Sequence, residues 1–167
     1  MKTMSTGRRG WKPGTLLLAA GIGLAALPID PVGAAATTER IVTDRHAGLA
    51  VYGYDPVAYF TDAKPRVGRA AIEYDFSGVT WRFANDGNRA AFADRPDIYM
   101  PRFGGYDPIS LARGVASPGH PQFWIVDEER LYLFYSAEDR DVFAADPQAA
   151  VAAAEARWPE VERVLIR

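Results

Sequence analysis

Two identical tetrapeptides carry the residues with most chemistry to offer. Gly53-Tyr54-Asp55-Pro56 opens the run Gly-Tyr-Asp-Pro-Val-Ala-Tyr-Phe, and Gly105-Tyr106-Asp107-Pro108 repeats its first four residues 52 positions later. An Asp can accept hydrogen bonds from the free N–H groups that open a helix, and the fixed φ of a following Pro suits the first helical position. Each copy therefore reads as a helix start with a Tyr packed beside it. In a second reading Tyr54, Asp55, Tyr106 and Asp107 line one shared pocket, with the loop from Pro118 to Pro121 and its His120 as a further wall. N–H groups at two helix starts favour an anionic or polar ligand, but aspartates that cap those helices take the same donors. Arg102, just ahead of Phe103-Gly104-Gly105, is placed to pair with Asp55 or Asp107.

Catalytic arrangements are sparse. Ser77, Ser110, Ser117 and Ser136 all lie outside a nucleophile-elbow context, and Asp55 with Asp107 makes a carboxylate pair only where the two turns meet. Gly104-Gly105 lacks the further Gly and Lys of a phosphate loop. The chain reads as a binding rather than a catalytic protein.

These residues need a scaffold, and the apolar pattern supplies one. Residues 49–52 form a short apolar strand candidate leading into the first helix start, where Val57, Ala58, Tyr59 and Phe60 point inward. Ile72, Tyr74 and Phe76 alternate with polar residues, as do Val79, Trp81 and Phe83 beyond the Ser77-Gly78 turn, so residues 71–84 read as a β-hairpin with one aromatic face. Asn85 caps a helix carrying Ala90, Ala91 and Phe92 that ends before Pro96, and residues 98–101 cross in extended form toward the second motif. Residues 122–126 and 131–135 form a second hairpin, too continuously apolar for one buried face and therefore expected at the centre of the sheet. Ser136 with Asp139 resembles a capping box, Asp146-Pro147 is a third helix start, and an apolar stripe through Val151, Ala154, Trp158, Val161 and Leu165 marks a last helix that Pro159 is expected to bend or break. Trp81, Trp124 and Trp158 all fall in apolar stripes and read as core aromatics. The class is α+β: a small single domain with an antiparallel sheet of hairpins, short Asp-Pro-capped helices and a C-terminal amphipathic helix.

Lys2, Arg8, Arg9 and Lys12 precede the uncharged run 15–29, and a small-residue stretch follows, so residues 1–36 read as a secretory signal peptide with cleavage near Ala34 to Ala36. The apolar run is shorter than the ~20 residues of a membrane span, which argues against a permanent anchor. Arg8-Arg9 is compatible with the twin-arginine route as well as with general secretion. Residues 37–48 read as an exposed lead-in and 49–167 as the domain. Without the four basic residues and one acidic residue of the leader, 15 Lys+Arg stand against 20 Asp+Glu, a net charge of about −5, which offers nucleic acid no basic surface. The expected location is periplasmic or secreted. The chain has no Cys, which excludes disulfides and thiolate metal sites.

The run from Gly53 to Phe60, joined to Trp81-x-Phe83, Pro101-x-Phe103-Gly104-Gly105-Tyr106, Leu131-Tyr132-Leu133 and Trp158-Pro159, resembles the exported YHS-domain proteins over residues 49–165. That resemblance implies a small α+β domain outside the cytoplasm, related to modules associated with metal binding and with metal-handling neighbours. Much of that family has no defined activity. Two departures stand out: Asp107 occupies the position where many relatives carry Cys after Gly-Gly-Tyr, and the Tyr-His-Ser triplet is absent. A transition metal is the one cofactor the resemblance brings. In this chain it would lean on Asp107, His120 and Met100, with Asp55 beside them, because a soft Cu(I) site finds no thiolate. The leading expectation is an extracytoplasmic, non-enzymatic binding or accessory module whose small polar ligand sits among Tyr54, Asp55, Arg102, Tyr106, Asp107 and His120. The alternative is a metal-binding or metal-delivery protein for Cu, Zn or Fe.

Overall fold

The computed structural model describes residues 40–165. The signal-peptide reading of residues 1–36 lies outside the described residues. Two short left-handed turns, Val51–Gly53 and Arg102–Gly105, each lead into a tetrapeptide motif and a short helix: α1 (Ala58–Thr61) and α4 (Pro108–Ala112). After α1 come β1 (Arg69–Phe76), β2 (Val79–Phe83), α2 (Asp86–Asp94) and α3 (Pro96–Tyr99); after α4 come β3 (His120–Asp127), β4 (Arg130–Phe134), α5 (Ala137–Ala145) and α6 (Pro147–Leu165). The class is α+β, with two separate two-stranded antiparallel sheets.

The two runs of elements are copies of one plan. The starting residues of paired elements are Arg69 and His120, Val79 and Arg130, Asp86 and Ala137, and Pro96 and Pro147, 51 residues apart in every case. Irregularities repeat too: β1–β2 breaks register between Arg69 and Glu73, and β3–β4 between His120 and Trp124. Asp55 N–H donates to Arg66 O at 2.8 Å and Asp107 N–H to Ser117 O at 2.9 Å; Gly68 N–H donates to Gly53 O and Gly119 N–H to Gly105 O, both at 2.9 Å. The repeated tetrapeptide is thus the visible part of a half-domain duplication. Further signs of it in the sequence are Asn85 with Ser136, Phe92 with Phe143 and Pro96 with Pro147, all at the same interval.

Local rules explain most of the elements. Asn85 caps α2 by accepting from Asn88 N–H at 2.8 Å, Ser136 caps α5 through Asp139 N–H at 3.1 Å, and Asp146 takes Ala149 N–H at 3.1 Å at the start of α6. The first hairpin pairs Tyr74 with Trp81 and Phe76 with Val79, turning at Ser77-Gly78 with φ of 53° and 79°. The second turns at the corresponding Glu128-Glu129, with φ of 46° and 57° on residues whose Cβ disfavours that region. Glu129→Gly, which restores the arrangement of Gly78, is expected to stabilise the protein by about 0.5–1 kcal/mol, the relief of left-handed strain outweighing the entropy of a freer unfolded chain. A urea midpoint that rises at unchanged slope would show it; a fall would mean that the Glu129 side chain contributes more than its backbone costs.

Each half has its own core. Trp81, Phe83 and Phe92, with Val57, Tyr59 and Ile72, form one cluster; Phe103, Tyr106, Leu111, Phe134, Phe143 and Val161 belong to the other. Strand β4 is the wall between them: Leu131 and Leu133 face the first cluster, Tyr132 and Phe134 the second. Its continuous apolar character therefore reflects burial on both faces by two cores, and the expectation that it lies between other strands is corrected.

Four further expectations change. Residues 49–52 are not a strand: Leu49 and Ala50 make only isolated bridges, and Val51–Gly53 is a 3₁₀ turn. Residues 98–101 are not all extended, since Pro96–Tyr99 is helical. Among its described residues the lead-in is exposed at Arg40 and over 45–48, but Ile41 and Val42 are buried, one in each cluster. Helix α6 runs on through Pro159. Its buried Ala154 and Val161 lie on either side of the Pro and pack into the second core, and that packing outweighs one lost backbone bond. No helix among the described residues is long and apolar enough to cross a membrane.

Candidate functional site

The motif aspartates are structural. Asp55 is fully buried, and its carboxylate accepts from four N–H groups: Val57 N at 2.9 Å, Ala58 N at 3.3 Å, Ala84 N at 2.8 Å and Asn88 Nδ2 at 2.7 Å. It pins the first helix start to the β2–α2 junction. Asp107, also fully buried, accepts from Ile109 N at 3.0 Å and Ser110 Oγ at 2.9 Å. The partners of Asp55 all belong to the first half and those of Asp107 to the second. The turns themselves are neighbours: Val42 N–H donates to Gly104 O at 2.8 Å, and Val51 N–H donates to Val42 O at 2.9 Å. One backbone residue therefore separates the turns, while the carboxylates point away into separate cores. The shared pocket of Tyr54, Asp55, Tyr106 and Asp107 does not form, because both aspartates are sealed by the donors they cap.

The other expected site residues also disperse. The Tyr54 hydroxyl accepts from Gln122 Nε2 at 3.3 Å, and Tyr106 is buried with its ring 6.2 Å from that of Trp158. His120 is exposed on β3, its Nδ1 accepting from Gln122 N–H at 3.2 Å and its ring 5.4 Å from Phe123. Met100 and Arg102 line a cleft to which neither Asp107 nor His120 contributes. Asp107, His120 and Met100 thus do not converge as ligands, and Asp107 has no face open to an ion. No three His, Asp or Glu among the described residues come together in a way that could hold a metal.

Tyr59 points inward, as its place in the first motif implies, and it also joins the halves. Its hydroxyl donates to Pro121 O at 3.0 Å, its ring lies 5.3 Å from Trp124 edge-on, and burial pushes its phenol well above the ordinary range.

The cleft around Met100 and Arg102, one of several among the described residues, is about 430 Å³ in volume. Phe103, Pro101 and Trp158 supply apolar wall; Arg40 and Arg102 supply guanidinium groups. The lead-in is tied to this turn by the bond from Val42 N–H to Gly104 O at 2.8 Å, the Arg40 carbonyl packs where a Cβ on Gly104 would stand, and the turn holds Phe103 at φ 54°. Arg102 lies over the Phe103 ring at 5.3 Å and pairs with Glu155, while Arg40 Nε donates to Glu162 at 2.9 Å. Trp158 and Phe103 meet edge-on at 5.7 Å. Both arginines are more than a third exposed, 61% and 38%, so neither ion pair is worth more than ~1 kcal/mol. Sequence reasoning singled out Arg102 and Met100 but missed Arg40 and Trp158, which reach this cleft only through tertiary packing.

No protein-family model, curated protein or solved structure matches this chain.

Proposed function

We propose that the protein is a non-enzymatic binding or accessory module of the YHS type that works outside the cytoplasm. Its ligand is a small anion with an apolar body, held in the Arg40–Arg102–Trp158 cleft. The observation that carries this reading is the pairing of two weakly engaged guanidinium groups with an aromatic wall in one cleft of ligand size. The leader-like composition of residues 1–36 supports the location, and the motif from Gly53 to Phe60 supports the family. The sealed state of Asp55 and Asp107 favours this cleft over the motif turns as the ligand site.

Titration calorimetry and amide chemical shifts with benzoate and indole-3-carboxylate, with inorganic phosphate as the anion that lacks an apolar body, test the reading. The aromatic carboxylates are expected to bind and to shift Trp158 and Gly104 resonances. Arg102→Ala and Arg40→Ala are each expected to weaken binding about ten-fold, the equivalent of ~1.4 kcal/mol. No heat and no shift with any of the three anions would overturn the proposal.

A further inference from the structure

The cleft of Arg40, Arg102 and Trp158 carries acid as well as base. Asp97 and Glu162 line it beside the two arginines, so the formal charges of its wall cancel, two against two. A simple anion seated at the guanidinium groups would share the cleft with both carboxylates, and their like charge works against it. Glu162 is already taken by Arg40. Asp97 is held more loosely: its side chain is 67% exposed, and its guanidinium partner, Arg95, stands at 3.6 Å, beyond a hydrogen bond. Arg130 engages the Asp97 carbonyl, at 2.8 Å. Ser77, from the β1–β2 turn, adds a hydroxyl to the same wall.

The duplication shows that this polarity belongs to one half. The same place in the second half, 51 residues on, is a cleft of about 200 Å³ in which Glu128 stands for Ser77, Gln148 for Asp97 and Val151 for Met100. The described residues that line it include Asp127, Glu128 and Glu155 but no arginine. Arg102 itself has Ala50, fully buried ahead of the first left-handed turn, as its counterpart. Neither Asp97 nor Arg102 is therefore required by the plan that the halves share.

We propose that the ligand of this cleft is a zwitterion: its carboxylate meets Arg40 and Arg102, its apolar body lies against Phe103 and Trp158, and an ammonium group meets Asp97. The inference rests on the ligand site proposed above and narrows its occupant to amines that also carry a carboxylate, amino acids with large apolar side chains among them. An ammonium group brings three donors, for which the Asp97 carboxylate and the Ser77 hydroxyl are acceptors. A zwitterion also adds no net charge to a wall that has none. Arg95 competes for Asp97 only weakly, because at 56% exposed its attraction is screened.

Matched ligands that differ by the amine alone test this, titrated into the full chain at low ionic strength and followed by amide chemical shifts. One pair is phenylalanine and 3-phenylpropionate, with the charges close together; the other is 4-(aminomethyl)benzoate and 4-methylbenzoate, with the charges far apart. In at least one pair the zwitterion is expected to bind about two- to five-fold tighter, the size of one exposed charge pair. Asp97→Asn, an exchange at an exposed side chain, is expected to bring that ratio to about one without weakening the plain carboxylate. Arg102→Ala is expected to weaken both members of a pair. An amine that adds nothing in either pair, or an advantage that survives Asp97→Asn, overturns the inference, and binding of the plain carboxylates would then leave the anion site standing. If none of the four compounds binds, the zwitterion and the anion site fall together.

Discussion

Asp55→Ala is expected to cost roughly 3–6 kcal/mol of folding stability, enough to unfold a protein of ordinary stability at moderate temperature. The carboxylate is the common acceptor for Val57 N–H, Ala58 N–H, Ala84 N–H and the Asn88 amide, and all four lie in or near the first core. Each donor left without a partner costs about 1–3 kcal/mol, reduced where water can enter the space vacated by the carboxylate. The loss is shared between α1 and the β2–α2 junction, so it should act on the whole first half rather than on one helix end. Asp107→Ala is expected to cost less than half as much. Fewer donors are stranded: Ile109 N–H and Ser110 Oγ against the four that Asp55 holds. Urea midpoints at unchanged slope measure both. Equal losses would mean that Asp55 is no more than a helix cap.

Gly104→Ala is expected to be at least as damaging, for a steric reason. A Cβ at this position would stand 1.8 Å from Arg40 O and 2.9 Å from Arg40 C, both backbone atoms, at a residue whose φ is +63°. The segment 40–43 must move, which breaks the bond from Val42 N–H to Gly104 O and exposes Ile41 and Val42. Re-exposing two such side chains costs about 1.5–3 kcal/mol each, and the left-handed conformation adds about 1–2 kcal/mol for a residue with a Cβ. A loss of about 4–8 kcal/mol in urea unfolding is expected, together with faster hydrogen exchange at Val42 and Val51. Gly114→Ala is the control: φ is +79° but nothing lies within 4 Å, so only the conformational cost of about 1–2 kcal/mol applies. If the two variants match, the lead-in does not hold the halves together. Because Arg40 lies in the same segment, Gly104→Ala also disturbs the proposed ligand cleft.

The duplication gives much of the molecule an internal reference. Gly78 shows what Glu129 does without, Asn88 shows what Asp139 replaces, and one-sided β2 shows how β4 departed from the common plan. Where the copies agree, as at the capped helix starts, the register breaks and the Gly68 and Gly119 bonds, the feature serves the fold of a half-domain. Departures between the copies mark features particular to one half, and Asp139 in the place of Asn88 is such a departure.

Local physics was legible in the residue order alone. Capping residues, Pro positions and alternating aromatics located both hairpins and the starts of α2, α5 and α6, because each depends on groups only a few residues apart. The same order marked Tyr54, Asp55, Tyr106 and Asp107 as important without saying why, since a capping carboxylate and a ligand-binding carboxylate are the same residue type in the same turn. Only the tertiary structure decided that both aspartates face separate cores, that Val42 threads between the two turns, and that Arg40 and Trp158 join Arg102 in one cleft. Those outcomes depend on contacts between residues tens of positions apart, and such contacts leave no periodic trace in the chain.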